Sequence, residues 1–159
     1  MKVYFASDHA GFEMKNKLID FVRGELSYEV EDCGAFVPDP DDDFNEFVRK
    51  AALAVSENPK NRKAIILGGS GQGEAIAANR FKYVRAVVFY GEPRSEQTDA
   101  SGETLGMLDS TRRHNDANIL SLGARFLSVE DAKKAAKVWL ETEFKGEERH
   151  IRRIASIDE

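Results

Sequence analysis

The sequence has one cysteine, no long apolar run and no excess of positive charge, and each shortage excludes a class of protein. With Cys33 alone, the chain can form no internal disulfide and no cysteine-rich metal site. No apolar run reaches membrane-spanning length, and the first residues lack the pattern of a signal peptide. The net charge of −5 argues against extended binding of nucleic acid or of a membrane surface. We therefore expect a cytoplasmic protein.

The length of the chain suits one domain with a substantial core. It has 159 residues, of which 42% are hydrophobic and 32% charged, as in globular proteins. It shows no internal repeat and no low-complexity tract that would indicate a linker. We predict a single domain over residues 1–159.

Strand-like and helix-like segments alternate along the chain. Short apolar strands are predicted at Val3–Ala6, Tyr28–Asp32, Ala64–Leu67, Arg85–Tyr90 and Ile119–Leu122. Helices are predicted at Gly11–Leu26, 44–55, Glu74–Arg80, a run ending near Arg113, and about 129–144, with Ser128 as the N-cap of the last. This alternation predicts an α/β fold, with a parallel sheet covered by helices on both faces and a ligand at the carboxyl ends of the strands.

The segment 64–80 carries the main functional signal. An apolar strand leads into a glycine-rich loop, 68–73, that opens a helix, so backbone N–H groups and the helix dipole favour an anion. Glu74 in the first turn would repel a resident phosphate, and it stands where a nucleotide-binding P-loop needs lysine. A third glycine of the dinucleotide motif is also missing. The glutamate fits an anion that forms during a reaction, while a purely structural tight turn is the alternative.

Two histidines lie in polar settings suited to proton transfer. His9 follows Asp8 directly after the first strand, and His114 lies in a run of polar residues. Asp8 could equally serve as a helix cap. No histidine or carboxylate spacing predicts a zinc site. We interpret His150 as structural.

The end of the chain is basic. Arg149 and Arg153 are four residues apart, so on a helix they would share a face and could bind one phosphate, or they could belong to a solvated basic tail. The polar segment 91–106 shows no clear periodicity and is long for a connection. A lid, a subunit contact or a surface insertion would each account for it.

Five motifs together resemble type B ribose-5-phosphate isomerases, a family that includes the galactose-6-phosphate isomerase subunits. They are Ser7-Asp8-His9-Ala10-Gly11, Gly69-Ser70-Gly71-x-Gly73, Ile76-Ala77-Ala78-Asn79, His114-Asn115-Asp116-Ala117-Asn118 and Arg149-His150-x-x-Arg153. The resemblance spans nearly the whole chain. It implies a Rossmann-like three-layer α/β/α fold with a five-stranded parallel sheet. It also implies a homodimer or homotetramer with shared active sites, a C-terminal tail of about 145–159 on the partner, and no metal or organic cofactor.

The resemblance assigns roles by position. One branch of the family has a cysteine base where Gly68 stands here, and the other has a glutamate where Glu74 stands, so this chain is similar to the glutamate branch. The resemblance makes Glu74 the base, and Ser70 with the amides at Gly69, Gly71 and Gly73 the oxyanion donors. It further implies Asp8 or His114 for ring opening, Asn115 for sugar oxygens, and His9, Arg125, Arg149 and Arg153 for the phosphate.

The predicted reaction is an aldose–ketose isomerisation of a sugar phosphate. Conversion of ribose 5-phosphate to ribulose 5-phosphate is the leading candidate. A galactose or allose 6-phosphate isomerase, a non-catalytic phosphosugar-binding module, and a subunit that needs a paralogous partner are the alternatives. Two features depart from the family pattern: the longer segment 91–106, and Asp43-Phe44-Asn45-Glu46, which lacks the usual proline. The first could alter the sugar pocket.

Overall fold

The computed structural model describes residues 1–93, 95 and 97–159, and these form an alternating α/β chain. The strands are β1 (Lys2–Ser7), β2 (Glu29–Asp32), β3 (Arg62–Gly68), β4 (Ala86–Phe89), β5 (Gln97–Thr98), β6 (Thr104–Leu105) and β7 (Ile119–Gly123). The helices are α1 (Phe12–Gly24), α2 (Phe44–Glu57), α3 (Gln72–Ala78), α4 (Met107–Asn115), α5 (Val129–Glu141) and α6 (Glu148–Ala155), with a final 3-10 turn at Ser156–Asp158. No helix in these ranges is long and apolar enough to cross a membrane.

The main sheet has five parallel strands, as predicted, and their order is β2-β1-β3-β7-β4. Its two faces belong to separate apolar clusters, because alternate residues of a strand point to opposite faces. Phe5 and Leu67 pack with α1 and α5, whereas Ala6 and Ile66 pack with α2 and α3. The chain is therefore the expected three-layer α/β/α arrangement.

The strand order places a crevice between β1 and β3. From β1 the chain continues to β2 on one side, and from β3 it continues toward β4 on the other, so the connections diverge there. Ligands of open α/β sheets bind at such a reversal, beyond the carboxyl ends of the strands. Ser7 is paired with Leu67 at these ends, which brings the residues after β1 beside the glycine loop after β3.

The segment 91–106 is more regular than its sequence suggests. The two-residue strands β5 and β6 pair antiparallel, and Leu105 is buried at the end of this hairpin. The prediction of an irregular segment is wrong here, because strands of two residues are too short to show a period of two in the sequence. Arg94 and Glu96 lie outside the described residues.

Helix α5 is shorter than predicted. Ser128 is its N-cap, as expected, and its hydroxyl accepts a hydrogen bond from the Asp131 N–H at 3.1 Å. The helix ends at Glu141 rather than near Phe144, because Thr142 has an extended backbone with φ −75° and ψ 123°. The residues after Glu141 lead into α6, the helix that carries the basic side chains of the tail.

Candidate active site

The glycine loop follows β3 and is held against β7. Gly71 has φ +72°, in the left-handed region that favours glycine. The Ser121 hydroxyl donates a hydrogen bond to its carbonyl oxygen at 2.6 Å. A side chain at Gly71 would start 2.8 Å from that hydroxyl oxygen. This close packing fixes the loop at the N-terminus of α3. The N–H groups of the loop then lie at the carboxyl ends of the strands.

Glu74, in the first turn of α3, points its carboxylate back under this loop. The residue is only 4% exposed, and a Cβ at Gly68 would lie 1.8 Å from its Oε1 atom. The carboxylate thus fills the volume left by the missing side chain of Gly68. Burial raises the pKa of Glu74, its own backbone N–H lowers it, and the nearby Asp8 charge raises it further. A carboxylate with a raised pKa is a stronger base, which suits proton transfer.

Asp8 lies next to this carboxylate and also organises the turn into α1. Its Oδ1 atom accepts hydrogen bonds from the N–H groups of Ala10 at 3.0 Å and Gly11 at 3.2 Å. These N–H groups belong to the turn before α1, whose N-cap is Gly11 without a side-chain cap, so the helix-cap interpretation of Asp8 is wrong. The charge of Asp8 also raises the pKa of Glu74.

His9 is held by Asp42, a residue to which the sequence assigned no role in the site. Asp42 Oδ1 accepts from the His9 backbone N–H at 3.2 Å and lies 2.8 Å from His9 Nδ1. The Asp42 side chain is 7% exposed. This hydrogen bond raises the pKa of His9 and favours the imidazolium form that a phosphate would need. No signal in the sequence distinguished Asp42 from its aspartate neighbours.

Asp8, His9 and Asp42 also offer the one grouping of three potential metal ligands within the described ranges, their ligand atoms lying within 4.8 Å of one another. Both carboxylates already make hydrogen bonds: Asp42 with the His9 ring, and Asp8 with the backbone N–H of Ala10. The absence of a metal stays a prediction.

Arg125 adds a second positive charge to this edge. Its guanidinium covers Gly69, where an added Cβ would lie 3.2 Å from Cζ. The charge of Arg125 also acts on His9 and lowers its pKa, against the effect of Asp42. Gly73 packs against Phe44, and the half-buried Ser70 accepts from the Gln72 N–H at 3.3 Å. One chain thus brings together eight of the predicted residues: Asp8, His9, Gly69, Ser70, Gly71, Gly73, Glu74 and Arg125.

The other predicted residues lie at the opposite end of the strands, where the amino ends are. Helix α4 runs back toward the amino end of β7, where the Arg85 guanidinium donates to the carbonyl oxygens of Asn115 and Asp116. The five residues of β7 span roughly 15 Å between the two edges. Across the described part of the chain, no hydrogen bond or ion pair joins the two groups. A single chain therefore does not assemble the whole predicted site.

This second group centres on His114, which stacks on the buried His150 with ring centroids 4.6 Å apart. Arg149 donates from Nε to Glu147 Oε2 at 2.9 Å and to His150 Nε2 at 3.2 Å. Burial lowers the pKa of His150, in keeping with an unprotonated Nε2. Arg153, one turn further along α6, is exposed. Sequence reasoning missed Asp99, which contacts His114 and Arg149.

Comparison with known proteins decides the family. The sequence model described as Ribose/Galactose Isomerase matches residues 3–157. The chain belongs to the ribose/galactose isomerase family. The resemblance seen in the motifs is thereby confirmed, and the protein is an aldose–ketose isomerase of sugar phosphates.

Full-length relatives agree with this assignment. Ribose-5-phosphate isomerase B of Mycobacterium tuberculosis strain H37Rv is 35% identical over 159 residues, covering 100% of this chain and 89% of that protein. The Escherichia coli K12 protein of the same name is 33% identical, covering 98% of this chain and 93% of that protein.

Solved structures of the family share the fold. The Thermotoga maritima ribose 5-phosphate isomerase is 35% identical, with a TM-score of 0.83 over 99% of this chain and 97% of that one. The Mycoplasma genitalium ribose-5-phosphate isomerase B, solved with bound ribulose-5-phosphate, is 28% identical, with a TM-score of 0.85 over 98% of this chain and 93% of that one.

Proposed function

We propose that this isomerase converts ribose 5-phosphate to ribulose 5-phosphate through an enediolate, with Glu74 as the base. The observation that carries the proposal is the position of the Glu74 carboxylate, buried against Gly68 beneath a loop of backbone N–H groups. The names of the full-length relatives, and the ribulose-5-phosphate bound to the M. genitalium protein, support this choice of substrate.

The chemistry needs one proton to move between neighbouring carbons. After the ring opens, Glu74 removes the C2 proton, the electrons form the enediolate, a hydroxyl proton passes from O2 to O1, and Glu74 returns its proton to C1. Negative charge develops on a sugar oxygen, which the loop amides and the Ser70 hydroxyl would stabilise by about 3–4 kcal/mol for each well-placed donor. Asp8 or His114 assists the ring opening.

A second copy of the chain would complete each site. The positive side chains His9 and Arg125 lie at one edge of the sheet, whereas Arg149 and Arg153 lie at the other. In a two-fold dimer, the tail of one copy, about 145–159, would bring its arginines to the Glu74 of its partner, and α4 of the same copy would bring His114 and Asn115. Large apolar side chains left exposed on the single chain are available for such a contact; they include Phe36, Ile76, Phe126, Ile151 and Ile157.

Two inactive variants test the shared site. Glu74→Gln and His114→Ala are each expected to lack turnover as pure proteins. When the two are mixed by co-expression, half of a random population is mixed dimers, and each mixed dimer keeps one intact site. We expect about a quarter of wild-type activity to return. Mixed dimers without activity would contradict a site built from two copies.

Substrate choice is tested by a turnover screen of the purified protein. We expect ribose 5-phosphate to be turned over with a higher kcat/KM than galactose 6-phosphate or allose 6-phosphate, and Glu74→Gln to abolish turnover of all three. A preference for a hexose phosphate would reassign the substrate within the family. Binding of ribose 5-phosphate without exchange of its C2 proton would indicate a phosphosugar-binding protein, and turnover only beside a paralogous partner would indicate a subunit.

A further inference from the structure

The hairpin β5–β6 holds a carboxylate in a fixed position. Three donors converge on Asp99 Oδ1: the Ser101 N–H at 2.8 Å, the Ser101 hydroxyl at 2.6 Å and the Glu103 N–H at 3.0 Å. The Asp99 side chain is 7% exposed. One carboxylate oxygen is thus used to hold the turn, and the other is free to act on a neighbour.

The hairpin is itself fastened to the elements around it. Glu103 forms ion pairs with Arg113 of α4 and with Lys145 in the segment before α6. Leu105 is buried at its far end. With contacts to two elements and a buried anchor, the hairpin is attached to the fold rather than free to move as a lid.

The second oxygen of Asp99 faces the histidine and the arginine of the second group. Its Oδ2 atom lies 3.4 Å from His114 Nε2 and 3.9 Å from Arg149 Nη2. On its other side, the His114 ring has the Ser110 hydroxyl 3.3 Å from Nδ1, and His150 stacks on its face. The imidazole is therefore restrained by contacts at both nitrogens and on one face.

We propose that Asp99 is a positioning residue that sets the tautomer and orientation of His114 for opening the sugar ring. The inference rests on the proposed function. A carboxylate at Nε2 holds the proton on that nitrogen and leaves the lone pair on Nδ1. His114 Nδ1, acting through the Ser110 hydroxyl that contacts it, then takes the proton of the anomeric hydroxyl, the bond from C1 to the ring oxygen breaks, and the proton is returned to that oxygen.

The charge of Asp99 is suited to this role. The Ser101 hydroxyl and the backbone donors, together with His114, hold the pKa of Asp99 well below its usual range, so the group stays ionised. Its first oxygen is committed to three hydrogen bonds. These bonds hold the Asp99 carboxylate in place beside His114.

The experiment separates ring opening from proton transfer at carbon. Ribulose 5-phosphate has its 5-hydroxyl blocked and is an open chain, so exchange of its C1 proton with deuterium oxide needs Glu74 but no ring opening. For Asp99→Asn we expect kcat from ribose 5-phosphate to fall about 10–100-fold, less than the roughly 100- to 10,000-fold contribution of a general base, because His114 itself is retained. Exchange into ribulose 5-phosphate should stay within about twofold of wild type, because the base is untouched.

Glu103→Gln is the matched control: the Glu103 carboxylate pairs with Arg113 and Lys145 and does not contact His114, and the glutamine amide oxygen can still accept hydrogen bonds that fasten the hairpin. We expect it to leave the ratio of turnover to exchange unchanged. Ser101→Ala removes one donor to Asp99 and should lower turnover in the same direction by a smaller factor. A nitrogen-15 NMR spectrum of His114 provides a readout besides activity: the Nε2–H tautomer in the wild type, and its loss in Asp99→Asn.

Other results overturn the proposal. Turnover and exchange that fall together in Asp99→Asn would make Asp99 a purely structural residue. A lower KM at unchanged kcat would mean that its carboxylate competes with the substrate. An unchanged tautomer at His114 would remove the physical basis of the inference. Absence of exchange in the wild type would instead refute the proposed function itself.

Discussion

Replacing Gly68 by alanine tests whether the Glu74 carboxylate must occupy its observed position. The added Cβ would lie 1.8 Å from Oε1, 2.2 Å from Cδ and 2.6 Å from Oε2, so the methyl group and the carboxylate compete for one volume. Gly68 ends β3, and its φ lies outside the left-handed region, so the backbone accepts an L side chain. The conflict is therefore borne by the end of the Glu74 side chain rather than by the main chain.

The size of the effect follows from the distance that the carboxylate must move. Reaching an ordinary contact of roughly 3.4 Å requires a retreat of about 1.6 Å. A displacement of about 1 Å in a reacting group costs about a hundredfold in rate. We expect kcat of Gly68→Ala to fall at least about a hundredfold, which corresponds to about 2.7 kcal/mol of activation free energy.

The assay is turnover of ribose 5-phosphate beside a thermal or urea unfolding curve. Gly24→Ala is the control, since a Cβ at Gly24 meets nothing within 4 Å, and it should keep wild-type turnover. Gly68→Cys combined with Glu74→Ala places a thiol near the vacated volume and should recover part of the activity lost in Glu74→Ala. A folded Gly68→Ala protein with normal kcat would refute the assignment of Glu74 as the base in this position.

Three further predictions concern charge and capping. Because burial raises the pKa of Glu74 in the folded state, the wild type loses stability as pH rises from the ordinary glutamate value of about 4.3 through that raised pKa. Glu74→Gln should therefore unfold at higher urea concentration than wild type at pH 8 but not at pH 4, and equal midpoints at pH 8 would contradict this. Because Asp42 raises the pKa of His9, Asp42→Asn should make KM for ribose 5-phosphate rise at a lower pH than in wild type; superimposable KM profiles would argue against His9 as a phosphate ligand. Ser128→Ala should lower the free energy of unfolding by about 1 kcal/mol through loss of the α5 cap, with kcat/KM unchanged, as measured by urea denaturation and turnover.

The fold could be predicted from the sequence alone, and so could the residues that gather around Glu74. The alternation of apolar strands and amphipathic helices predicts a parallel sheet, because each element shows its own period locally. The glycine loop with Glu74, and the pair Asp8 and His9, were identified because each follows directly on a strand. Residues next to strand ends are placed at the carboxyl edge by the fold alone.

Contacts between side chains far apart in the sequence became visible in the folded chain alone. Asp42 and His9 are 33 residues apart, and Asp99 reaches His114 from a hairpin whose strands are too short to show a pattern. The structure also showed that burial outweighs the opposing backbone N–H in setting the pKa direction of Glu74, which the sequence left open. In the structure, Arg149 and His114 lie at one end of the strands and Glu74 lies at the other. Such contacts depend on how whole elements pack against one another, and a local pattern of residue types carries no record of that packing.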